Sequence, residues 1–336
     1  MPPPTVGMQM ILGGADFKSN AGVHFLDACL RSLRPARFDQ FIIVNTGIDA
    51  ASRDLIREES RLRGKAGLPK IEVYRFKWVD DFAAARNEAL RHATTDWWTW
   101  CDSDDVLEGA EHFHDIVAKA DPDTGGYFAS YLYAFDEYGN CITRHDRERL
   151  CRLSVGWHWS GRIHEVKIPH HSMSWQHIDN VVWVHKRGNE IKSDRNLPLL
   201  TKWNEDEPEN IRVWLFLGMQ YFTEASWEKA AYWYERVWRN KEASPVDRYA
   251  AMDYGARSWR NCDQTQRAVA ADMAGITEFP EYANSYVGMC ENFIRLKLWA
   301  KGIAMGKTAL TKEIPPSIWF VNELDYTWRL QNDLSI

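Results

Sequence analysis

Apolar and polar positions follow two different rhythms along the 336 residues, and the change of rhythm divides the chain. Up to about residue 190, short apolar runs alternate with amphipathic stretches, the pattern of strands and helices in an α/β unit. Met8–Leu12, Phe41–Val44 and Trp97–Cys101 are apolar runs of strand length, and Ile71–Phe76 alternates with a period of two. Between them, His24–Ser32, Arg53–Arg63 and Phe82–His92 carry helical spacing, with Asp80 or Asp81 available to cap the last. Tyr127–Tyr133, Glu165–Ile168 and Val181–Val184 predict further strands.

Beyond about residue 195 the strand signals nearly vanish. Trp214-x2-Leu217-Gly218-x2-Tyr221, followed by Ala230-x3-Tyr234, matches the tetratricopeptide (TPR) pattern of paired helices. The small-residue position recurs at Gly255 and Gly288, 37 and 33 residues further on, and Ala300 follows Gly288 by 12 as Ala230 follows Gly218. Small side chains let two antiparallel helices approach closely, and each pair leaves an apolar face for the next to cover. The expectation is an α/β domain over 1–192 and an all-α, TPR-like domain over 193–336, a generic helical bundle being the alternative for the second.

Composition narrows the chemistry. A hydrophobic fraction of 45% with 26% charged residues is ordinary for a globular protein, but 17 Trp are many. Such rings suit a packed core, and equally stacking on sugars or bases. A net charge of −6 weighs against a broad nucleic-acid surface, although Arg144, Arg147, Arg149, Arg152 and Arg162 form a basic stretch around Trp157 and Trp159. The six cysteines show no CxxC pair, which favours reduced core thiols over bridges or a zinc site. No apolar run approaches 18 residues and the N-terminus lacks a basic leader, so no membrane partner and a cytoplasmic location are expected.

The most telling stretch is Trp97-Trp98-Thr99-Trp100-Cys101-Asp102-Ser103-Asp104-Asp105. An apolar strand delivers three carboxylates just past its C-terminal end, where open α/β sheets place ligands. Acids packed this closely repel one another unless a cation sits among them. The spacing lets Asp104 bind a divalent metal while Asp102 turns towards a nucleotide or the same metal. Mg²⁺ or Mn²⁺ there would bridge phosphate oxygens; the bland alternative is a solvated acidic turn. Upstream, Asp81-Phe82-Ala83-Ala84-Ala85-Arg86-Asn87 opens a helix whose Arg86 can offer its planar fork to phosphate or to an aspartate of the cluster.

In order, these motifs resemble those of a family 2 glycosyltransferase of the GT-A (Rossmann-like) fold, in a subgroup that continues into TPR helices. They are Asn45-Thr46-Gly47-Ile48-Asp49, the Asp81–Asn87 helix start, Asp102-Ser103-Asp104-Asp105, Gly161-Arg162-Ile163-His164-Glu165, His185-Lys186-Arg187 and Arg195-Asn196-Leu197-Pro198-Leu199-Leu200. The resemblance spans roughly residues 8 to 240. It implies a nucleotide-sugar domain with Asn45 and Asp49 at the nucleoside, Asp102 facing the nucleotide, Asp104 and His185 on the metal, and Lys186, Arg187 or Lys192 clamping the diphosphate. One position departs: the family usually has Asp where this chain has Asn45, and an amide both accepts and donates, so uracil is no longer selected over cytosine. A UDP-sugar remains the first expectation.

The expected reaction is inverting transfer, with Glu165 as general base and Asp105 as its rival or as a group that orients the metal site. A salt bridge from Glu165 to Arg162 is the structural alternative, and Trp157 and Trp159 either stack on the sugar or pack in the core. The resemblance includes peptide-glycosylating enzymes, so a peptide or protein acceptor leads. A glycan or a modified base in DNA follows, with a homo-oligomer through the helices as a further expectation. The alternative of another class is a non-catalytic TPR scaffold carrying a decayed transferase domain.

Overall fold

The computed structural model describes residues 2–13, 21–186, 195–313 and 323–326, and the chain divides into two compact units, Met1–Ser193 and Asp194–Ile336. The first unit opens with β1 (Val6–Gly13), α1 (Ala21–Leu33), β2 (Gln40–Gly47), α2 (Ala50–Lys65), β3 (Glu72–Arg75), α3 (Phe82–Arg91) and β4 (Trp97–Trp100). It continues through β5 (Asp105–Glu108), α4 (Phe113–Ala118), β6 (Thr124–Phe135) and β7 (Cys141–Arg152). The antiparallel pair β8 (Trp157–Ser160) and β9 (Val166–Pro169) precedes β10 (Ser174–His185).

An eight-stranded mixed sheet runs in the order β3-β2-β1-β4-β7-β6-β10-β5. β3, β2, β1 and β4 are parallel. The chain winds outward from β1 to β3, then returns to place β4 on the other side of β1. The order therefore reverses between β1 and β4, which is where sheets of this kind open a crevice at the strands' carboxyl ends. β1 is buried along nearly its whole length. Met8, Met10 and Leu12 pack into a cluster with Leu26, Phe113 and Trp183. On another cluster, Ile42 and Val44 of β2 meet Ala85 and Ala89 of α3, whose small side chains allow close approach.

Three strands, and the short helix α4, were not expected from the pattern. β5 is four residues long, β7 coincides with the basic stretch, and β8 holds Trp157 and Trp159. β7 escapes a hydrophobicity reading because charged residues occupy it even where it is buried: Arg149 is fully enclosed. None of the six cysteines is in a disulfide; four are buried, Cys29 and Cys101 among them 3.8 Å apart, while Cys141 is exposed and Cys262 half-buried.

The second unit holds α5 (Asn196–Asp206), α6 (Ile211–Thr223), α7 (Trp227–Trp238), α8 (Pro245–Asn261), α9 (Thr265–Glu278), α10 (Asn284–Arg295) and α11 (Trp299–Ala309). Each helix packs on the next, and α8 also touches α6 and α10, the arrangement of stacked hairpins. The glycine spacing has a steric cause. A Cβ on Gly218 would lie 2.9 Å from the Tyr234 ring, one on Gly255 3.2 Å from Tyr234 Cβ, and one on Gly288 2.7 Å from Asp272 Cγ. Asp272 cannot yield easily, because it is fully buried and accepts from Arg260 Nη1 at 2.6 Å and Asn292 Nδ2 at 2.7 Å. Gly288→Ala is expected to cost about 1–3 kcal/mol through overpacking, lowering the melting temperature by about 3–10 °C. Gly64→Ala is the control: it lies within α2 with nothing inside 4 Å, and should be neutral or stabilising. Equal melting of the two variants would contradict this account. Among the described residues no helix is long and apolar enough to cross a membrane.

Candidate active site

β4 ends at Trp100, and the chain turns through Cys101–Asp104 before re-entering the sheet as β5 at Asp105. The acidic turn thus hangs at the carboxyl end of β4, beside the reversal of strand order. β5 then pairs antiparallel with β10, in a register that sets Asp105 opposite His185. The Lys186 amide donates to the Asp104 carbonyl at 2.8 Å. Strand pairing alone therefore brings two segments 80 residues apart onto one spot.

There, Asp104, Asp105 and His185 each offer a ligand atom within 4.8 Å of one another. Asp105 is fully buried. Its Oδ1 accepts from the Tyr131 hydroxyl at 2.8 Å and lies 3.2 Å from His185 Nδ1. Its Oδ2 is buried without a hydrogen-bond partner, with Arg149 Nη2 at 3.6 Å. An orphaned buried carboxylate oxygen is the kind of atom a cation satisfies. Carboxylate oxygens with an imidazole nitrogen suit Mn²⁺, and Mg²⁺ less well. Because Asp105 holds Nδ1, the imidazole is oriented with Nε2 free for a metal, the carboxylate–histidine–metal pattern. Burial, then the charges of Asp102 and Asp105, push the Asp104 carboxyl up to about 6. His185 is raised: burial opposes its charge, but the bond to Asp105 and the acids around it win.

Asp102 departs from expectation as a metal ligand. It turns towards α3, where Arg86 Nη2 binds its Oδ1 at 2.8 Å. Burial works against ionisation there, but Arg86 and Arg149 outweigh it and hold the carboxyl below the usual range. Arg86 also binds Glu165 through Nε. It lies buried between the rings of Trp100 and Trp159, at 4.5 and 5.0 Å. So the Arg86 fork is spent on two carboxylates rather than offered to phosphate, and Glu165 pairs with Arg86 rather than Arg162.

The helix start around Arg86 explains how the loop carrying Glu165 is held. Asp81 caps α3 by accepting from the Ala84 amide at 2.8 Å. The Phe82 amide donates to the Arg162 carbonyl at 2.8 Å, and Asn87 exchanges two hydrogen bonds with the backbone of Trp159. These bonds fix left-handed backbone at Asp80 (φ 58°) and His164 (φ 54°), a conformation that costs a non-glycine residue energy. Neither candidate base presents itself to solvent: the Glu165 side chain is 12% exposed and paired, and Asp105 is closed off entirely. Trp157 and Trp159 are core residues, packed with Trp98 and Trp100.

The nucleoside candidates stand at the end of β2, already engaged. Asn45 Oδ1 accepts from the amides of Gly47 (2.9 Å) and Ile48 (3.1 Å). Asp49 caps α2 through the Ser52 amide at 2.7 Å, which lowers its carboxyl. Lys186 is exposed beside His185, while Arg187 and Lys192 lie outside the described residues. Of the basic stretch, Arg149 is fully buried, Arg152 donates to the carbonyls of Thr124 and Asp121, and Arg144 is exposed. Tyr131 and Arg149 were missed as site residues; nothing in their local sequence marks them.

Residues 20–182 match the family described as glycosyl transferase family 2. Two curated relatives are similar, the SPbeta prophage-derived glycosyltransferase SunS of Bacillus subtilis (strain 168) and glycosyltransferase SunS of Bacillus phage SPbeta. Each is 26% identical over 210 residues, 57% of this chain and 45% of the relative. The chain therefore spans about half the length of the curated relatives it matches. Among solved structures, a crystal structure of MamA aligns with 35% of this chain and 67% of its own, at 18% identity and a TM-score of 0.33.

Proposed function

We propose that this chain, a family 2 glycosyltransferase over residues 20–182, moves a sugar from a nucleotide-sugar to an acceptor with the help of a divalent cation at its acidic turn. The observation that carries the reading is the convergence of Asp104, Asp105 and His185 beside the reversal of strand order. Asp104 and His185 are the ligands, and Mn²⁺ is preferred over Mg²⁺ for the mixed oxygen and nitrogen set. When bound, the cation stabilises the charge of the departing nucleoside diphosphate.

The chain's own residues divide the remaining work. Asp105 and Tyr131 orient His185. Arg86 holds Asp102 and Glu165 in place, so Glu165 and Asp105 serve as positioning groups. A UDP-sugar is the first candidate donor, with a CDP-sugar admitted because Asn45 replaces a carboxylate. A peptide or protein acceptor is preferred, since stacked helical hairpins present extended faces suited to chains.

The test is a panel of UDP-, CDP- and GDP-sugars read by thermal shift with Mn²⁺. A donor present at 100 times its Kd should stabilise the fold by about 2.7 kcal/mol, and EDTA should abolish the shift. A panel in which no nucleotide-sugar moves the transition would overturn the reading.

A further inference from the structure

Trp100 closes β4 directly before the acidic turn, and four cationic groups surround its indole. Measured to ring centroids, Arg149 lies at 3.9 Å, Arg86 at 4.5 Å, Lys167 at 5.0 Å and Arg147 at 5.4 Å. Three of them are closed to solvent. The Arg86 side chain is 7% exposed and binds Asp102 and Glu165. Arg149 is fully buried over Asp105, Tyr131 and Trp183. Lys167, with 1% of its side chain exposed, donates to the Glu148 carbonyl and sits among the rings of Trp98, Trp100 and Trp159.

Arg147 differs on both counts. A third of its side chain reaches solvent, and its ion pair is with Glu148 at 3.9 Å, beyond hydrogen-bond reach. Glu148 lies equally far from Lys167, so its charge is shared between two cations. A guanidinium resting on a ring face keeps its edge N–H groups available for a planar, two-oxygen acceptor. The charges also call for it. Around Trp100 and the turn stand five carboxylates, Asp102, Asp104, Asp105, Glu148 and Glu165, against those four cations and the exposed Lys186. An entering diphosphate adds further negative charge, and the buried cations cannot turn to meet it.

We propose that Arg147 is a cation this site offers to the phosphate groups of its ligand, one of the two roles the sequence left open to Arg86. The proposal rests on the reading of this unit as a nucleotide-sugar site.

The experiment is calorimetric titration of UDP and CDP, with Mn²⁺ present, into the wild-type chain, Arg147→Met and Arg147→Lys. Arg147→Met is expected to weaken diphosphate binding by about 10- to 100-fold, the range for losing a charged hydrogen-bond donor. Its Mn²⁺ affinity and its melting temperature without nucleotide should match the wild type, and Arg147→Lys should recover part of the loss. Arg147→Met binding the diphosphate as tightly as wild type would overturn the assignment alone. Parallel loss of Mn²⁺ and nucleotide would also overturn it, by making Arg147 a support of the acidic turn. If the wild type binds neither diphosphate, the nucleotide-sugar reading itself fails and this proposal falls with it.

Discussion

Asp104→Ala is expected to cut metal-dependent release of nucleoside diphosphate from the donor by about a thousandfold or more. A bound cation contributes several kcal/mol of charge stabilisation, and each 1.4 kcal/mol is about a tenfold change in rate. The substitution removes a carboxylate that burial and two neighbouring acids already push up to about 6, so the folded chain sheds a charge that its burial disfavours. The variant should therefore melt no lower than wild type while losing both turnover and Mn²⁺ binding. Release of diphosphate from a sugar nucleotide in the presence of Mn²⁺ measures the first, and manganese resonance the second. Turnover at the wild-type rate would remove Asp104 from the metal site.

Arg86→Ala should produce the largest loss of stability in the first unit. Removing one partner of a buried ion pair costs about 3–5 kcal/mol, because the other charge stays behind. Here two carboxylates are stranded, Glu165 with 12% of its side chain exposed and Asp102 with 36%. The exposure of Asp102 lets water screen part of the cost, so about 2–4 kcal/mol is expected, a fall of about 5–15 °C in melting temperature. The sign of the pH dependence follows from Asp102. Its carboxyl lies below the ordinary range in the folded chain, so its contribution is present at neutral pH and fades as pH falls through that lowered value. In the variant Asp102 loses the guanidinium that holds it ionised, and the gap to wild type should narrow on acidification. Arg86→Lys should restore little, since a point charge cannot span both acids. A gap that stays constant from neutral pH to pH 4 would assign the effect to lost ring packing on Trp100 and Trp159.

The parts of the site that were legible in the sequence are those fixed by neighbours along the chain. The acidic turn could be placed because the apolar run stops at Asp102, and the α3 start because Asp81 is a capping residue two positions before the small-residue face begins. The helical glycines were legible through their spacing, which steric contact with Tyr234 and Asp272 explains. What was not legible depends on partners far away in sequence. The β5–β10 register that sets Asp105 against His185 has no local signature, and of the two roles open to Asp105 it supports the one that orients the proposed metal site. The choice of Arg86 between phosphate and carboxylates was open until Glu165 arrived from the loop held by Asn87 and Phe82. β7 stayed hidden because Arg149 and Arg152 replace the apolar alternation expected of a strand, their charges being met by Asp105 and by backbone carbonyls.

Anomalous diffraction from crystals grown with Mn²⁺ and a nucleoside diphosphate tests the central claim most directly. The account predicts a manganese peak bonded to the Asp104 carboxylate and to Nε2 of His185, with phosphate oxygens on its open side. A manganese ion bound elsewhere, or Asp104 turned into solvent beside an empty pocket, would contradict it.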